Sequence, residues 1–382
     1  ADGRIAPFNL VSYADAKAVA DLMVLRTQER SMPPWGAMET SECKPRHGWK
    51  DDRRLSDDEI ALLAAWRDAG SPEGDPADAP PQGVPEPLGL PGVELTVEPL
   101  KPYVASGDKD QFRCFVMDPK LTEDRYLNGS NFVAGNAKVV HHALMFLDAK
   151  AESVPMADAD GGYDCFGGPN FNNASLIAAW APGGVPSEYA PNIGMQIPAG
   201  SRLVMQIHYH PAGAPPVADL TKVQLDYAEQ APAYLARLVG VGNFVTFHLD
   251  GSGLLPGPDD FGPPVFTIPA GTHGHTETMK FIAPPAGPGE PLPAMSIYSV
   301  KPHMHYVGQS IEVAVHRPAP SGGEPVDECL AAAPRWDFAW QRSYTYDAPL
   351  AALPTLHTGD EISVRCTYDN TVDNKALVAA LL

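Results

Sequence analysis

Three short histidine clusters give this chain its clearest capacity for chemistry. They are His141-His142, His208-Tyr209-His210 and His303-Met304-His305, and each lies in a stretch patterned like a β-strand. A neutral imidazole offers a nitrogen lone pair near neutral pH, which makes histidine the commonest metal ligand. Three clusters on separate strands therefore predict one or two metal sites built on a β scaffold.

The spacing within the clusters decides which histidines share a face. Residues i and i+2 of a strand point to the same side, so each His-X-His segment directs both imidazoles toward one ion. His141 and His142 are neighbours and face opposite ways on a regular strand. They bind one metal only where the strand twists, bulges or ends. A fourth segment, His273-Gly274-His275, follows a proline-glycine stretch and is interpreted as a turn with a structural role.

Ligand chemistry narrows the choice of metal. Sites made of imidazoles alone suit copper, zinc, nickel or iron, and no acidic residue stands at ligand spacing beside the three clusters. This disfavours the iron sites that need a carboxylate. Two sites of nitrogen, or of nitrogen and thioether sulfur, would suit copper that cycles between Cu(I) and Cu(II). The alternative is a β-sandwich interaction module with solvated surface histidines.

Composition limits the kinds of partner that the protein can bind and indicates its cellular compartment. The 382 residues include 27 basic and 47 acidic side chains, a net charge of −20, which argues against nucleic acid and anionic membranes as partners. No apolar run is long enough to span a membrane. The five cysteines contain no Cys-X-X-Cys pair, which favours one or two disulfides in a periplasmic or secreted protein. Because the chain starts Ala-Asp-Gly, we expect a removed signal peptide or a fragment.

The pattern of apolar residues, prolines and glycines changes twice along the sequence. Residues 1–75 have helical periodicity, with a capping box from Ser56 to Glu59. Residues 76–92 are dense in proline and predict a stiff linker. Strand patterns separated by proline and glycine then fill 93–230 and 231–382, which predicts two β-sandwich domains. The expected fold class is mainly β, with a small α-helical domain in front.

Several motifs resemble those of a known enzyme family. Val139–Phe146, Met205–Tyr209 and Lys301–Gly308 are similar, in the same order, to the histidine motifs of the ascorbate-dependent type II copper monooxygenases. That family includes peptidylglycine α-hydroxylating monooxygenase and dopamine β-monooxygenase. Trp336–Gln341 and Arg365–Tyr368 also look like its C-terminal domain. The resemblance runs from about residue 93 onward and implies two antiparallel jelly-roll-like β-sandwiches.

The resemblance also implies two mononuclear copper sites. The site in the first sandwich would store an electron. The site in the second would be catalytic, reducing oxygen and hydroxylating a substrate C–H bond with two externally supplied electrons. His210 lies beyond the family motif and is expected beside the first site or on the surface. The implied ligands are His141, His142 and His208 for the first copper, and His303 and His305 for the second.

Further features of the second site follow from the resemblance. The family's catalytic copper takes a methionine thioether from a strand beyond the segment Cys366–Tyr368, and no methionine follows Met304 in this sequence. Lys301 stands where the peptide-hydroxylating relatives have a substrate-binding arginine, which implies a small-molecule or peptide-like substrate. The implied electron donor is ascorbate or a cytochrome. A copper-binding or electron-transfer protein without turnover is the second hypothesis.

The helical segment has a resemblance of its own. Ile5–Phe8, Met32–Trp35 and Leu55–Ile60 look like a small c-type cytochrome domain fused to bacterial members of this family. In those proteins a Cys-X-X-Cys-His haem attachment precedes the corresponding segment, and this sequence contains no such motif. Haem c is therefore expected only if the motif lies upstream, with Met32 as the axial ligand.

The resemblance leaves the disulfides partly open. Cys366 matches a family cysteine whose partner lies past residue 382. Within this sequence we expect Cys366 to pair with Cys329 and Cys114 to pair with Cys165, which would leave Cys43 free.

Overall fold

A computed structural model describes residues 10, 12–78, 89–181, 184–211, 215–242 and 251–381. The chain divides into two compact units. The middle unit contains the described residues from 89 to 239, and the split unit contains those up to 78 together with those from 240 onward. Both units are mainly β, and most of their strands pair antiparallel.

Three helices form the start of the split unit. The hydroxyl of Ser12 accepts from the backbone of Asp15 at the first helix. Ser56 and Glu59 form the predicted capping box at the third. None of the described helices has the length and apolarity needed to cross a bilayer. The helices are α1 (Tyr13–Ala18), α2 (Ala20–Gln28) and α3 (Asp57–Asp68).

The middle unit is built from thirteen strands. They are β1 (Leu95–Val97), β2 (Tyr103–Val104), β3 (Gln111–Met117), β4 (Arg125–Val133), β5 (Val140–Asp148), β6 (Gly162–Asp164), β7 (Ala174–Trp180), β8 (Ser187–Glu188), β9 (Ile193–Ile197), β10 (Arg202–Tyr209), β11 (Ala218–Asp219), β12 (Lys222–Tyr227) and β13 (Tyr234–Leu235).

Two sheets of the middle unit share one hydrophobic core. The first has the order β6-β3-β10-β5-β7, and the second has the order β1-β12-β4-β9-β13, with β8 also on β4. Phe115 and Met205 of the first sheet pack in the same core as Leu127 and Val223 of the second. β12 buries alternate residues, whereas almost all of β10 is buried because it is the central strand. This central strand ends at the histidines of the second cluster.

The split unit continues with nine strands and a short terminal helix. Its main sheet has the order β14-β15-β22-β18-β19. The elements are β14 (Gly253–Leu254), β15 (His273–Ile282), β16 (Met295–Ser296), β17 (Ser299–Val300), β18 (Gly308–His316), β19 (Asp327–Ala333), β20 (Tyr344–Thr345), β21 (Thr355–Leu356), β22 (Glu361–Asp369) and α4 (Lys375–Leu381).

Part of the N-terminal segment shares a core with the C-terminal strands. Trp35 and Trp49 lie in one aromatic cluster with Tyr344 and Tyr346. The rings of Trp49 and Tyr346 stack with centroids 4.9 Å apart. The irregular chain between α2 and α3 supplies these tryptophans, and α3 buries none of its residues. Most of the expected linker, residues 79–88, lies outside the described residues.

Two disulfides are present. Cys114 pairs with Cys165, as expected, with their Cα atoms 5.9 Å apart. Cys43 pairs with Cys329, so the expected pairing of Cys329 with Cys366 is wrong. Cys329 lies on β19 and Cys366 on β22, with β18 between them. Strands two positions apart are separated by about 9–10 Å, which exceeds the span of a disulfide.

Candidate metal centre

A β-bulge sets the direction of the paired histidines in the middle unit. In the ladder between β5 and β10, His208 lies opposite His142, but the next residue, Tyr209, lies opposite Val140. His141 is thus the extra residue that the bulge inserts into β5. Because an extra residue interrupts the alternation of a strand, neighbouring side chains turn to the same side. The irregularity that adjacent histidine ligands require is present.

The three imidazoles converge through their Nδ1 atoms. His142 Nδ1 lies 3.2 Å from His141 Nδ1 and 3.4 Å from His208 Nδ1. Two nitrogens bound to one ion at about 2.0–2.1 Å in tetrahedral geometry stand about 3.3–3.4 Å apart. The observed spacings therefore match the edge of a metal polyhedron. The ligand atoms of the three side chains all lie within 4.8 Å of one another, and we call this group the histidine triad.

Asp110 fixes the tautomer of His208. Its Oδ2 lies 2.9 Å from His208 Nε2, and because an ionised carboxylate cannot donate, this contact is favourable only when Nε2 carries the hydrogen. The lone pair of the neutral ring is then on Nδ1, which faces His142. Phe112 stacks on the His208 ring with centroids 4.2 Å apart and planes 12° from parallel. Metal-binding histidines usually make such an outer hydrogen bond to a carboxylate.

His210 supports the histidine triad from outside it. Its Nδ1 donates to Asp110 Oδ1 at 2.5 Å. Burial alone would raise the pKa of Asp110, but the hydrogen bonds from His210 and His208 outweigh this effect and lower it. No local sequence signal marks Asp110, because 100 residues separate it from His210. The pairing of β3 with β10 brings them together.

The third histidine cluster lies outside the strands. Residues 301–305 connect β17 to β18 in irregular conformation, so the prediction of a strand is wrong here. Met304 is 4% exposed and packs in the core of the split unit. His303 and His305, on either side of it, reach solvent. Their ring centroids are 5.3 Å apart, so we call them the histidine pair.

Gln341 orients His303 much as Asp110 orients His208. Gln341 Nε2 donates to the carbonyl of Phe338 at 3.0 Å, so its Oε1 is the atom that faces His303 Nδ1. An amide oxygen only accepts, so Nδ1 carries the hydrogen and Nε2 keeps the lone pair. Phe338 also lies edge-on to His305, with ring centroids 6.0 Å apart.

The surrounding protein lowers the pKa of each basic group around the histidine pair. Burial lowers the pKa of His303, although the Gln341 hydrogen bond acts to raise it, and burial also lowers the pKa of His305. Burial brings the pKa of Lys301 to about 8. All three side chains still reach solvent, so a ligand can approach them. Neutral imidazole is the form that binds metal.

Met32, the expected axial ligand of a haem, lies in the split unit. It lines a cavity of about 20 Å³ together with Trp35, Met38 and Leu55. This volume suits about one water molecule, and no histidine or cysteine is among the residues that line it. The expectation that Met32 is the axial ligand of a haem attached upstream stays a prediction.

Comparison with characterised proteins points to one group of enzymes. No protein-family model matches the chain. It is 25% identical over 243 residues to DBH-like monooxygenase protein 1 of Gallus gallus, which covers 61% of this chain and 35% of that protein. It is also 25% identical over 249 residues to DBH-like monooxygenase protein 2 of Mus musculus, which covers 62% of this chain and 35% of that protein. The chain resembles the DBH-like monooxygenases.

The similarity is partial in extent. The chain spans about a third of the length of these DBH-like relatives. Two solved structures of other proteins align with it, PNGase F, a glycosylasparaginase from Flavobacterium meningosepticum, and a peptide-N(4)-(N-acetyl-beta-D-glucosaminyl) asparagine amidase. Both have a TM-score of 0.22, with 9% and 11% identity, and cover 72% of this chain and 96% of the other. A likeness this low carries no argument about fold.

Proposed function

We propose that the chain is the core of a copper-dependent monooxygenase, which hydroxylates a C–H bond with O₂ and two externally supplied electrons. Its resemblance to DBH-like monooxygenases supports an oxidoreductase of this kind. The convergence of three Nδ1 atoms at His142 carries the proposal. The Nδ1 atom of His142 has either one hydrogen or one lone pair, so it can hydrogen-bond to only one of its two neighbours, whereas one metal ion can bind all three nitrogens.

Two ligand sets would hold two copper ions. The histidine triad would hold the first and the histidine pair the second. Imidazole nitrogens suit copper, and the spacings of 3.2 and 3.4 Å around His142 fit bonds of about 2 Å. Bound copper would supply one-electron redox chemistry and the activation of oxygen.

The chain's other side chains would position the ligands and the substrate. Gln341 holds His303 with its Nε2 available, and Phe338 covers one side of His305. The Lys301 ammonium lies two residues before the histidine pair and would attract a substrate carboxylate. Since lysine is a point charge and not a planar fork, it selects charge more than shape. The proposed substrate is a small-molecule or peptide-like carboxylate.

The disulfides bear on the compartment of this proposed reaction. Two disulfides are consistent with an oxidising environment, and we therefore propose a periplasmic or secreted protein. Ascorbate and a cytochrome are the electron donors that suit such a compartment in this proposal.

A copper-binding or electron-transfer protein without turnover is the second candidate. One observation favours it: among the described residues, three metal-ligating side chains converge only at the histidine triad. The histidine pair supplies two imidazoles. Electron transfer needs a complete copper site but no position for oxygen or substrate.

Copper stoichiometry together with oxygen uptake tests both candidates. The chain is loaded with Cu(II), freed of excess metal, and its copper content measured by plasma mass spectrometry. We expect copper at both clusters, with His208→Ala losing one ion and His305→Ala the other. His273→Ala, which removes an exposed histidine of another His-X-His segment, is the matched control and should keep both.

Oxygen uptake then separates an enzyme from a carrier. The monooxygenase proposal expects uptake that requires ascorbate and a carboxylate-bearing substrate, and that disappears in His305→Ala. Copper at the histidine triad without substrate-dependent uptake would favour the second candidate. Copper no higher than background in the loaded wild type would contradict both.

A further inference from the structure

The chain between α2 and α3 pairs with β20, a strand of the split unit that begins shortly after Gln341. We call residues 35–50 of this chain the N-terminal arm. The backbone amide of Lys50 donates to the carbonyl of Thr345, on β20, at 2.8 Å. β20 in turn pairs with β17, and residues 301–305, which carry the histidine pair, follow β17 directly. Backbone hydrogen bonds therefore connect the arm, through β20, to the segment of the histidine pair.

Two residues of the arm contact side chains that follow Gln341. The guanidinium carbon of Arg342 lies 4.6 Å from the centroid of the Trp35 ring. The same ring meets the ring of Tyr344 edge-on, with centroids 5.3 Å apart. The backbone amide of Gly36 donates to the Tyr344 hydroxyl at 2.9 Å. Because Trp35 and Tyr344 are buried and protein interiors are closely packed, the arm limits how far Arg342 and Tyr344 can move.

Gln341 lies between these contacts and the histidine pair. Its Oε1 accepts from His303 Nδ1, and its Nε2 donates to the carbonyl of Phe338. Arg342 follows Gln341 directly in the chain, so a displacement of Arg342 also displaces the amide. A hydrogen bond weakens steeply as its geometry worsens. A displaced amide would therefore no longer keep the hydrogen of His303 on Nδ1.

A disulfide and an ion pair anchor the arm. Cys43 is bonded to Cys329 of β19, and Arg46 Nε lies 2.7 Å from Glu328 Oε1, also on β19. Both contacts join the arm to β19 in addition to its pairing with β20. The arm is therefore attached to two strands, and it can determine the position of the side chains that it contacts.

We propose that the N-terminal arm positions the histidine pair for metal binding. Through Trp35 and Gly36 the arm holds the chain that carries Gln341, and Gln341 keeps the lone pair of His303 on Nε2. The hydrogen bond made by one nitrogen of a histidine decides which nitrogen can bind an ion. Trp35 and Gly36 are thus positioning residues that act through Gln341. Their purpose rests on the proposed function, whereas the tautomer of His303 is a property of the metal-free chain.

Gly36→Ala tests the arm without replacing a ligand or Gln341. The added Cβ would stand 2.7 Å from Tyr344 Oη, so the buried ring must shift. Gly48→Ala is the matched control, because it lies in the same arm and its Cβ would meet no atom within 4 Å. Neither glycine has a positive φ, so alanine suits both backbones.

The first measurement uses the full chain without metal. Proton–nitrogen NMR of histidine-labelled protein at about pH 8, where an ordinary imidazole is neutral, shows which ring nitrogen carries the hydrogen. The His303 signals are assigned by their loss in His303→Ala. We expect the hydrogen on Nδ1 in the wild type and in Gly48→Ala. We expect a mixture of both tautomers in Gly36→Ala and in Gln341→Ala.

The second measurement is copper binding at the pair. Cu(II) is titrated against a chelator in a His142→Ala background, which weakens the triad. Loss of an outer contact weakens a metal site by about 10–100-fold, so we expect a smaller loss of about 3–10-fold in Gly36→Ala. In a Gln341→Ala background Gly36→Ala should have no further effect, because the arm acts through Gln341. A purely structural role would give the same loss in both backgrounds.

Two results would overturn the proposal. One is a His303 tautomer in Gly36→Ala that is the same as in the wild type. The other is an equal loss of copper affinity from Gly36→Ala with and without Gln341. Absence of copper from the pair in the wild type would contradict the proposed function instead, and the tautomer then decides on the arm. If Gly36→Ala does not fold, as judged by circular dichroism, Tyr344→Phe takes its place, since it removes the acceptor of the Gly36 amide.

Discussion

The histidine triad and the histidine pair use the same side chain but are built differently. The triad stands on two hydrogen-bonded strands, where a bulge aligns neighbouring residues and His208 is 6% exposed. The pair stands on an irregular segment that is anchored by the buried Met304 between its members. Three ligands on paired strands are held rigidly. Two ligands on a connection leave positions that oxygen or a substrate can occupy, which suits the roles proposed for them.

The residues that contact the ligand histidines from outside also differ between the triad and the pair. The carboxylate of Asp110 lies 2.9 Å from His208 Nε2, whereas His303 donates to the neutral amide oxygen of Gln341. A charged acceptor raises the basicity of the ligand more than a neutral one does. The triad is therefore expected to hold Cu(II) more tightly than the pair.

The largest expected effect comes from a substitution that removes one ligand of the triad and leaves the pair unchanged. His142 lies at the centre of the triad, within 3.4 Å of both other Nδ1 atoms. We expect His142→Ala to weaken copper binding at the triad by more than about 100-fold, since a direct ligand matters more than an outer contact. Competition titration with a copper chelator measures this. Retained tight binding at the triad would show that the Nδ1 convergence is not a metal site.

A smaller effect tests the outer carboxylate alone. Asp110→Asn keeps the size of the side chain but removes its charge, and we expect about 10–100-fold weaker Cu(II) binding at the triad. Asp108→Asn makes the same charge change at an exposed neighbouring position and serves as the control. Equal losses in both variants would mean that general electrostatics, and not the contact with His208, controls the affinity.

The triad was more predictable from sequence than its supports. Adjacent histidines that bind one ion require a bulge, so the irregularity at His141 follows from ligand geometry. Asp110 has no such signal, because only the pairing of β3 with β10 brings it to His208. The alternation His-Met-His around Met304 led to a wrong prediction of a strand. An irregular segment can bury every second residue just as a strand does.

Long-range pairing explains the other misses. Cys43 and Cys329 are separated by 286 residues, and their disulfide depends on where the N-terminal segment meets β19. Strand order also rules out Cys366 as the partner of Cys329. The order of strands in a sheet cannot be predicted from the local pattern of apolar residues. The mainly β class was predictable because proline and glycine separate the apolar runs in this part of the chain.

The third prediction concerns a substitution that displaces the histidine pair but replaces neither of its histidines. A Cβ at Gly308 would stand 2.6 Å from Met304 Cε and 2.8 Å from Trp336 Cδ1. We expect Gly308→Ala to lower the free energy of unfolding by about 1–3 kcal/mol and to weaken copper binding at the pair, because Met304 must move. Binding at the triad should stay unchanged. Gly262→Ala is the control, since its added Cβ meets no atom within 4 Å. Urea unfolding and copper titration measure the two effects.

The smallest expected effect comes from a substitution that changes the outer contact of the histidine pair. Gln341→Glu replaces the neutral acceptor of His303 with a carboxylate of the same length, and so gives the pair the kind of outer contact that the triad has in Asp110. Loss of the Gln341 donor to the Phe338 carbonyl costs about 1 kcal/mol, which opposes part of the gain. We therefore expect Cu(II) binding at the pair to tighten only a few-fold, with little change in Cu(I). Weaker Cu(II) binding would mean that Gln341 matters through its position against Phe338, and that charge in the outer contact does not distinguish the two sites.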